Sequence, residues 1–594
     1  MRIGAAGRAS LSMNPLFVNV IHRVDPAPAR LESLRFQQDS AHRHGLRTTV
    51  LLTYGALIDP TSIAYAREQR DRHGDELGLH LHELMVPEFR QRFRTDEKAF
   101  WLLPRQTQRD VLDLLIARFT EAFGAAPSAV GSYILDADTL NDLRERHPSV
   151  KAAIVNCFEE GVRMYQGNNQ EWYLFSDGGP WGAYHPSKAC HLVPARDTEE
   201  WCGIVGLPHL NRDMVLSLTS RDDLFSSHPA NLIRACANEG DRCDYVLHFI
   251  DQWIEQGRHN SHGYYSLFVS PPWITAGHPF VDDPQDARRL YDESLAYLRD
   301  RQDAGQVRCV TMTEFARWFA GNVKPGESTV NLSRDLMCDA GREMFWYVDH
   351  AFRVAIDLNL GGAICDLRPY DGRIDRNLGP ETPSLWNGNY PFLISTALRG
   401  GYRTGPIHSC EVHHAGRSVS LAEARSRGAI ERAPDGTAVL QIEPVTVEVA
   451  GLRVTVASTY RFPGDGTIAI ERRVVSLSDP TATVELREYH RGCWGTTEYP
   501  EDLRGLTLRT RDATADVQEL SYAYASRRIA TTTPAEVSAG IPPLGCQVAL
   551  QPVNGAERGE ALEGHMFRPF YTLALARCVT AGQSFITRLQ FRPL

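Results

Sequence analysis

Gly74-Asp-Glu-Leu-Gly-Leu-His-Leu-His-Glu83 decides the fold. Leu77, Leu79 and Leu81 alternate with residues that include His80 and His82. Side chains two apart on a strand share a face, so the spacing predicts a strand with one leucine face and two imidazoles at the end of the other. A lone buried histidine is more often a hydrogen-bonded core residue, but a His-x-His pair closing an apolar strand can hold one metal ion.

Working outward, the same grammar recurs. Upstream, the apolar run 16–21 ends in His22-Arg-Val-Asp25-Pro26, where Pro26 stops a regular strand. Helical patterns over 27–44 and about 60–73 flank a β-branched run over 45–53. Downstream come a helix near 107–123, the stretch 127–138 with Tyr133-Ile-Leu-Asp136, and a strand over 151–158 ending at Glu159-Glu160. Runs at 203–213, 264–269 and 307–311 supply further strands, with helices near 230–256 and 284–303 between them. Strand and helix alternating at about thirty-residue spacing predict parallel β/α units, about seven of them, enough to close a barrel.

After residue 320 short alternating runs take over, among them 352–357, 452–457 and 467–472, punctuated by turn pairs such as Asp435-Gly436. They predict an antiparallel β-sandwich. The expected organisation is a tail over 1–14, a (β/α)7 barrel over 15–320, a linker over 321–345 and a sandwich over 346–594.

Composition narrows the function classes. A chain of 594 residues exceeds one hydrophobic core, and 43% hydrophobic with 23% charged residues is ordinary for a globular protein. A net charge of -10 without a dense Lys/Arg cluster argues against a nucleic-acid partner. No run approaches 18 apolar residues, which argues against a membrane partner, and no signal-length apolar run follows the N-terminus. The 12 cysteines show no C-x-x-C pair. The expectation is a cytoplasmic protein with reduced thiols, its oligomeric state unspecified.

In parallel β/α barrels the active site gathers at the carboxyl ends of the strands. Titratable residues end five of the strands here: His22 and Asp25, His80 and His82, Asp136 and Asp138, Glu159 and Glu160, His209 and Asp213. Imidazoles and carboxylates without a thiolate suit zinc, or a harder ion such as manganese. Asp25, His80 and His82 are the expected ligands, with His22 as substitute. Asp138, directly before Thr139 and a helix, reads as a helix N-cap. Asp136 is expected to face the mouth as nucleophile, base or ligand.

The order of these strands, with His80-Leu-His82 and Tyr133-Ile-Leu-Asp136 as its more specific pieces, resembles the polysaccharide deacetylase superfamily and its relatives, the family 57 and family 38 glycoside hydrolases. The resemblance spans about residues 15–320 and implies a carbohydrate substrate, with Asp136 on the strand that bears the family 38 nucleophile. Deacetylases of this kind open with Thr-Phe-Asp-Asp-Gly and space their histidines as His-x-x-x-His; this chain has Ile21-His-Arg-Val-Asp25 and His-x-His. Those differences put a glycosidase first, a metal-dependent N-acetyl-sugar deacetylase second and a carbohydrate-binding or scaffold protein third. Glu159, Glu160 and Asp213 are the candidate partners of Asp136. Trp172, Trp181, Tyr184, His185 and His209 are the candidate sugar contacts, since a long aromatic loop suits ring stacking.

Overall fold

A computed structural model describes residues 14–26, 28–82, 84, 86–97, 99–132, 135–156, 179–209, 211, 213–215, 245–275, 284–335, 341–370, 406–492, 505–523, 525–542, 545–564 and 570–594. Among the described residues the first half holds eight strands: β1 (Leu16–Val24), β2 (Thr49–Leu52), β3 (Glu76–His80), β4 (Ala129–Gly131), β5 (Ala152–Asn156), β6 (Val205–Pro208), β7 (Gly263–Val269) and β8 (Val307–Cys309). Nine helices accompany them among the described residues: α1 (Pro28–Arg43), α2 (Tyr54–Leu57), α3 (Pro60–His73), α4 (Pro87–Phe93), α5 (Arg105–Phe123), α6 (Ala137–Arg146), α7 (Tyr245–Ile254), α8 (Pro284–Asp303) and α9 (Met312–Asn322).

The strands form one parallel, curled sheet in the order β6-β5-β4-β3-β2-β1-β7. One edge of β1 is paired along its length with β7; β8 pairs at Leu16–Val18 and β2 at Ile21–Val24. Alternation divides each strand between two cores. Phe17, Ile21, Leu51, Ala129, Ile154, Leu207, Tyr264 and Phe268 fill the inside, with Met312 and Phe315 of α9 packed among them. Val24, Val50, Leu77, Leu79, Leu81 and Val130 face outward onto helical residues such as Leu112 and Leu115.

Local signals place β3. Asp59 caps α3 through the Thr61 and Ser62 amides, and Gly74, at φ 73°, ends it in the left-handed conformation that favours glycine. Inside the sheet the fit is tight. A Cβ on Gly78 would stand 2.5 Å from the Ala129 carbonyl oxygen, so the neighbouring backbones require glycine there.

No ladder joins β6 to β7 among the described residues, so hydrogen-bonded strands alone do not close the barrel. The seam is bridged by a side chain. Asn211 accepts from the Ser266 amide at 2.7 Å and donates to the Tyr264 carbonyl at 3.3 Å, as a strand's peptide group would. Lower on the same seam, Tyr184 exchanges backbone hydrogen bonds with Gly206 at 3.0 and 2.9 Å.

Beyond α9 the described strands pair antiparallel. A ten-stranded sheet starts with Thr329–Arg334 paired to Glu343–Val348, and a nine-stranded sheet packs on it through a core that includes Val354, Leu367, Val456, Tyr460, Leu486 and Leu573. The strand Thr329–Arg334 lies inside the stretch expected as linker, so only residues 323–328 separate helix from sheet. The ten-stranded sheet is also seated on the barrel. Met344, Trp346, Val348 and Ala355 share a core with Trp181, Trp253 and Leu295, and Trp346 Nε1 donates to the Met214 carbonyl at 2.7 Å. Among the described residues, no helix is long and apolar enough to cross a membrane.

Candidate active site

β3 and the residues after it deliver His80 and His82 to the inner face, opposite Leu79 and Leu81. The rings stand edge to face with centroids 6.3 Å apart. His80 Nδ1 accepts from the His82 backbone amide at 3.3 Å, which leaves its proton on Nε2. Burial first, then the nearby Arg23 guanidinium and the His82 ring, hold His80 well below the ordinary imidazole range, so it is neutral near pH 7. His82 stacks on Trp101 at 5.4 Å, beside a backbone bridge to Ala99. Across the barrel, Phe268 meets the His80 ring at 5.8 Å and the His209 ring at 4.4 Å. Imidazoles from β3 and from the end of β6 thus share one aromatic wall.

Asp25 ends the inner face of β1 and is almost fully buried. Its carboxylate receives Arg23 Nη2 at 2.9 Å and Nε at 3.3 Å, with Arg30 Nη1 at 3.6 Å. Asp136 is the N-cap of α6, accepting from the Thr139 amide at 2.8 Å, with Arg105 Nη1 at 3.6 Å. The cap role expected of Asp138 therefore belongs to Asp136, because the helix begins two residues earlier than the sequence suggests; Asp138 lies in its first turn. Arg105 also reaches Asp142 and donates to Thr139 Oγ1 at 2.9 Å, so one guanidinium fixes the approach to the Asp136 carboxylate.

Other expected site residues lie elsewhere. His22 faces the helix layer: its Nε2 meets the Tyr291 hydroxyl and its Nδ1 meets Gln38 Nε2 at 2.5 Å. Alternation explains this, since Arg23 and Asp25 take the inward positions. Burial holds the His22 imidazole down to about 3. Trp181 is a core residue packed on Trp346 at 5.8 Å, and Tyr184 lies on the β6 edge with its hydroxyl on the His191 carbonyl. His185 stands at the opposite end of the barrel, its ring 4.7 Å from Phe319 of α9. The recess there has a volume of about 40 Å³, room for a few waters and too little for a sugar ring. Asp213 accepts from the Val215 amide at 2.9 Å and from Gln252 at 3.3 Å, a turn fixed to α7. Glu159, Glu160 and Trp172 lie outside the described residues.

Arg23, Trp101, Arg105 and Phe268 were not among the expected site residues. Arg23 was within reach of the reading, because it shares the parity of Asp25 on β1. Trp101 and Arg105 carry no local signal, being placed by the return of the chain from α4 toward α5.

A divalent ion would need three protein ligands, and among the described residues no three His, Cys, Asp or Glu side chains gather closely enough to hold one. The Asp25 carboxylate faces two guanidinium groups and His22 is turned to the helix layer, so this set does not fit a resident ion.

No family model matches the sequence, and no curated protein matches it. Solved structures similar to it include a protein of Parabacteroides distasonis provisionally described as a glycoside hydrolase/deacetylase, 15% identical over 62% of this chain and 88% of that one, with a TM-score of 0.47. A protein of Mycobacterium smegmatis provisionally described as a polysaccharide deacetylase is 14% identical over 54% of this chain and 96% of its own, with a TM-score of 0.31. The 4-alpha-glucanotransferase of Thermococcus litoralis is 8% identical, covering 98% of this chain and 100% of its own at 0.28. Below 0.5 these likenesses carry no chemistry over to this chain.

Proposed function

We propose that this chain is a carbohydrate-active hydrolase that cleaves a glycosidic bond at the carboxyl-terminal mouth of its barrel. The observation that carries the reading is the convergence of buried polar groups from separate elements on one end: Arg23 and Asp25 from β1, His80 and His82 from β3, His209 from β6 and Asp136 at the start of α6. Asp136, oriented by its cap bond and Arg105, offers a carboxylate to a developing oxocarbenium ion, as nucleophile or as electrostatic stabiliser. The proton for the leaving oxygen is assigned to Glu159 or Glu160, which follow β5 in the sequence. The neutral imidazole of His80 suits hydrogen bonds to sugar hydroxyls.

The test is reducing-end release from a panel of oligosaccharides, N-acetylated ones included. Asp136→Asn keeps a good N-cap residue and is expected to lower turnover on the order of 10³-fold or more, with binding of the oligosaccharide almost unchanged. Asp136→Ala should additionally cost about 1 kcal/mol of stability. Acetate release without reducing ends would put a deacetylase in place of this reading, and full turnover by Asp136→Asn would move the carboxylate role to Glu160.

A further inference from the structure

We infer that the fixed positive charge of the barrel mouth is the Arg23 guanidinium, standing where a divalent ion would otherwise be needed, and that Asp25, His80 and His82 hold no resident metal. The inference deepens the reading of this mouth as the working end. Register carries the geometry. Val24 is level with Leu52, and Leu52 with Leu79, so Asp25 and His80 are level and two strand spacings apart, about 9.6 Å between backbones. Thr53, directly after the strand between them, donates its hydroxyl to the Val24 carbonyl at 2.8 Å and caps α2. One ion could bind both only if the Asp25 and His80 side chains leaned toward each other and met it at about 2.0–2.2 Å. Asp25 leans along its own strand instead, onto Arg23 at 2.9 Å, with both side chains at most 4% exposed. Drawing the carboxylate away would break a buried ion pair, and the incoming ion would lie beside the Arg23 cation. Arg30 holds the same carboxylate from the rim at 3.6 Å.

Metal content tests this independently of turnover. The full chain, expressed with zinc and manganese in the medium and purified without chelator, is expected to carry less than about 0.1 ion per chain, and chelator should move its melting temperature by less than about 1 °C. The variant Arg23→Gln/Arg30→Gln releases Asp25 and should bind zinc at least about tenfold more tightly than the native chain in calorimetry. Should that variant not fold, Asp25→Asn serves: its melting temperature should fall by the same amount with zinc present or absent. About one ion per native chain, lost in His80→Ala, overturns the inference, as does a zinc affinity in the native chain equal to that of the double variant. If oligosaccharides are not cleaved, the proposed function fails while this measurement still stands.

Discussion

His22 shows how one position of parity separates a site residue from a core residue. It lies between two inward-facing neighbours on a strand whose nine residues are all buried, and its ring nitrogens are engaged by Tyr291 and Gln38. Residue type did not reveal this, because a histidine at a strand end reads the same whichever face it takes; counting inward from Asp25 would have. The burial has a measurable consequence. An imidazole held down to about 3 stays neutral in the folded chain, whereas the unfolded chain protonates it near 6.5. Between those values the unfolded state binds more protons, so this group's contribution is fully present above about pH 6.5 and is lost as pH falls toward 3, at roughly 1.4 kcal/mol per pH unit. His22→Gln, which cannot titrate, should flatten the pH dependence of unfolding free energy between pH 6 and 4 by roughly that slope. An unaltered slope in denaturant melts would show that His22 is not neutral in the fold. His191, held to about 3, and His185 and His262, held to about 4, keep their own shares, so acid should still destabilise the variant.

Among elements, those with chemical punctuation were legible. α3 spans the expected 60–73 because Asp59, Pro60 and Gly74 mark its ends, and the His-x-His strand follows directly. α8, over 284–303, also matches its expected span. The closure of the barrel was not legible, since it is made by an amide side chain in place of a strand ladder and pairs residues more than fifty positions apart. Asn211→Ala should leave the Ser266 amide and the Tyr264 carbonyl short of a partner in a buried seam, at a cost of about 1–3 kcal/mol. Hydrogen exchange locates the effect: the Ser266 amide should exchange faster, while the Ile21 and Val50 amides in the middle of the sheet keep their protection. Equal acceleration throughout the sheet would mean that Asn211 supports global stability and not the seam.

At the scale of the whole molecule, sequence texture separated a parallel half from an antiparallel half, but not how closely the two are joined. That lies in contacts between positions far apart in the chain. The Asn260 amide donates to the Val330 carbonyl at 2.6 Å and accepts from its backbone N–H at 2.9 Å, extending the ten-stranded sheet's first strand onto the barrel. Arg353, fully buried, donates to the Gly179 carbonyl at 2.8 Å and is paired with Asp366 at 3.0 Å. Trp346 fills the space beside Trp181, and the same core runs from α7 and α8 into the sheet. An interface that holds buried tryptophans, a buried ion pair and strand-like amide bonds resembles a core cut in two, unlike the polar, mobile contact common between domains. Ending the chain at residue 325 would expose Trp181 and Trp253 and leave the Met214 and Gly179 carbonyls without their sandwich partners. The shortened chain is expected to aggregate on expression, and co-expression with residues 326–594 should recover soluble protein as a complex. A soluble, monomeric 1–325 with native far- and near-ultraviolet circular dichroism would instead mean that the barrel completes its own core. The buried Trp346 would then serve only to position the sandwich.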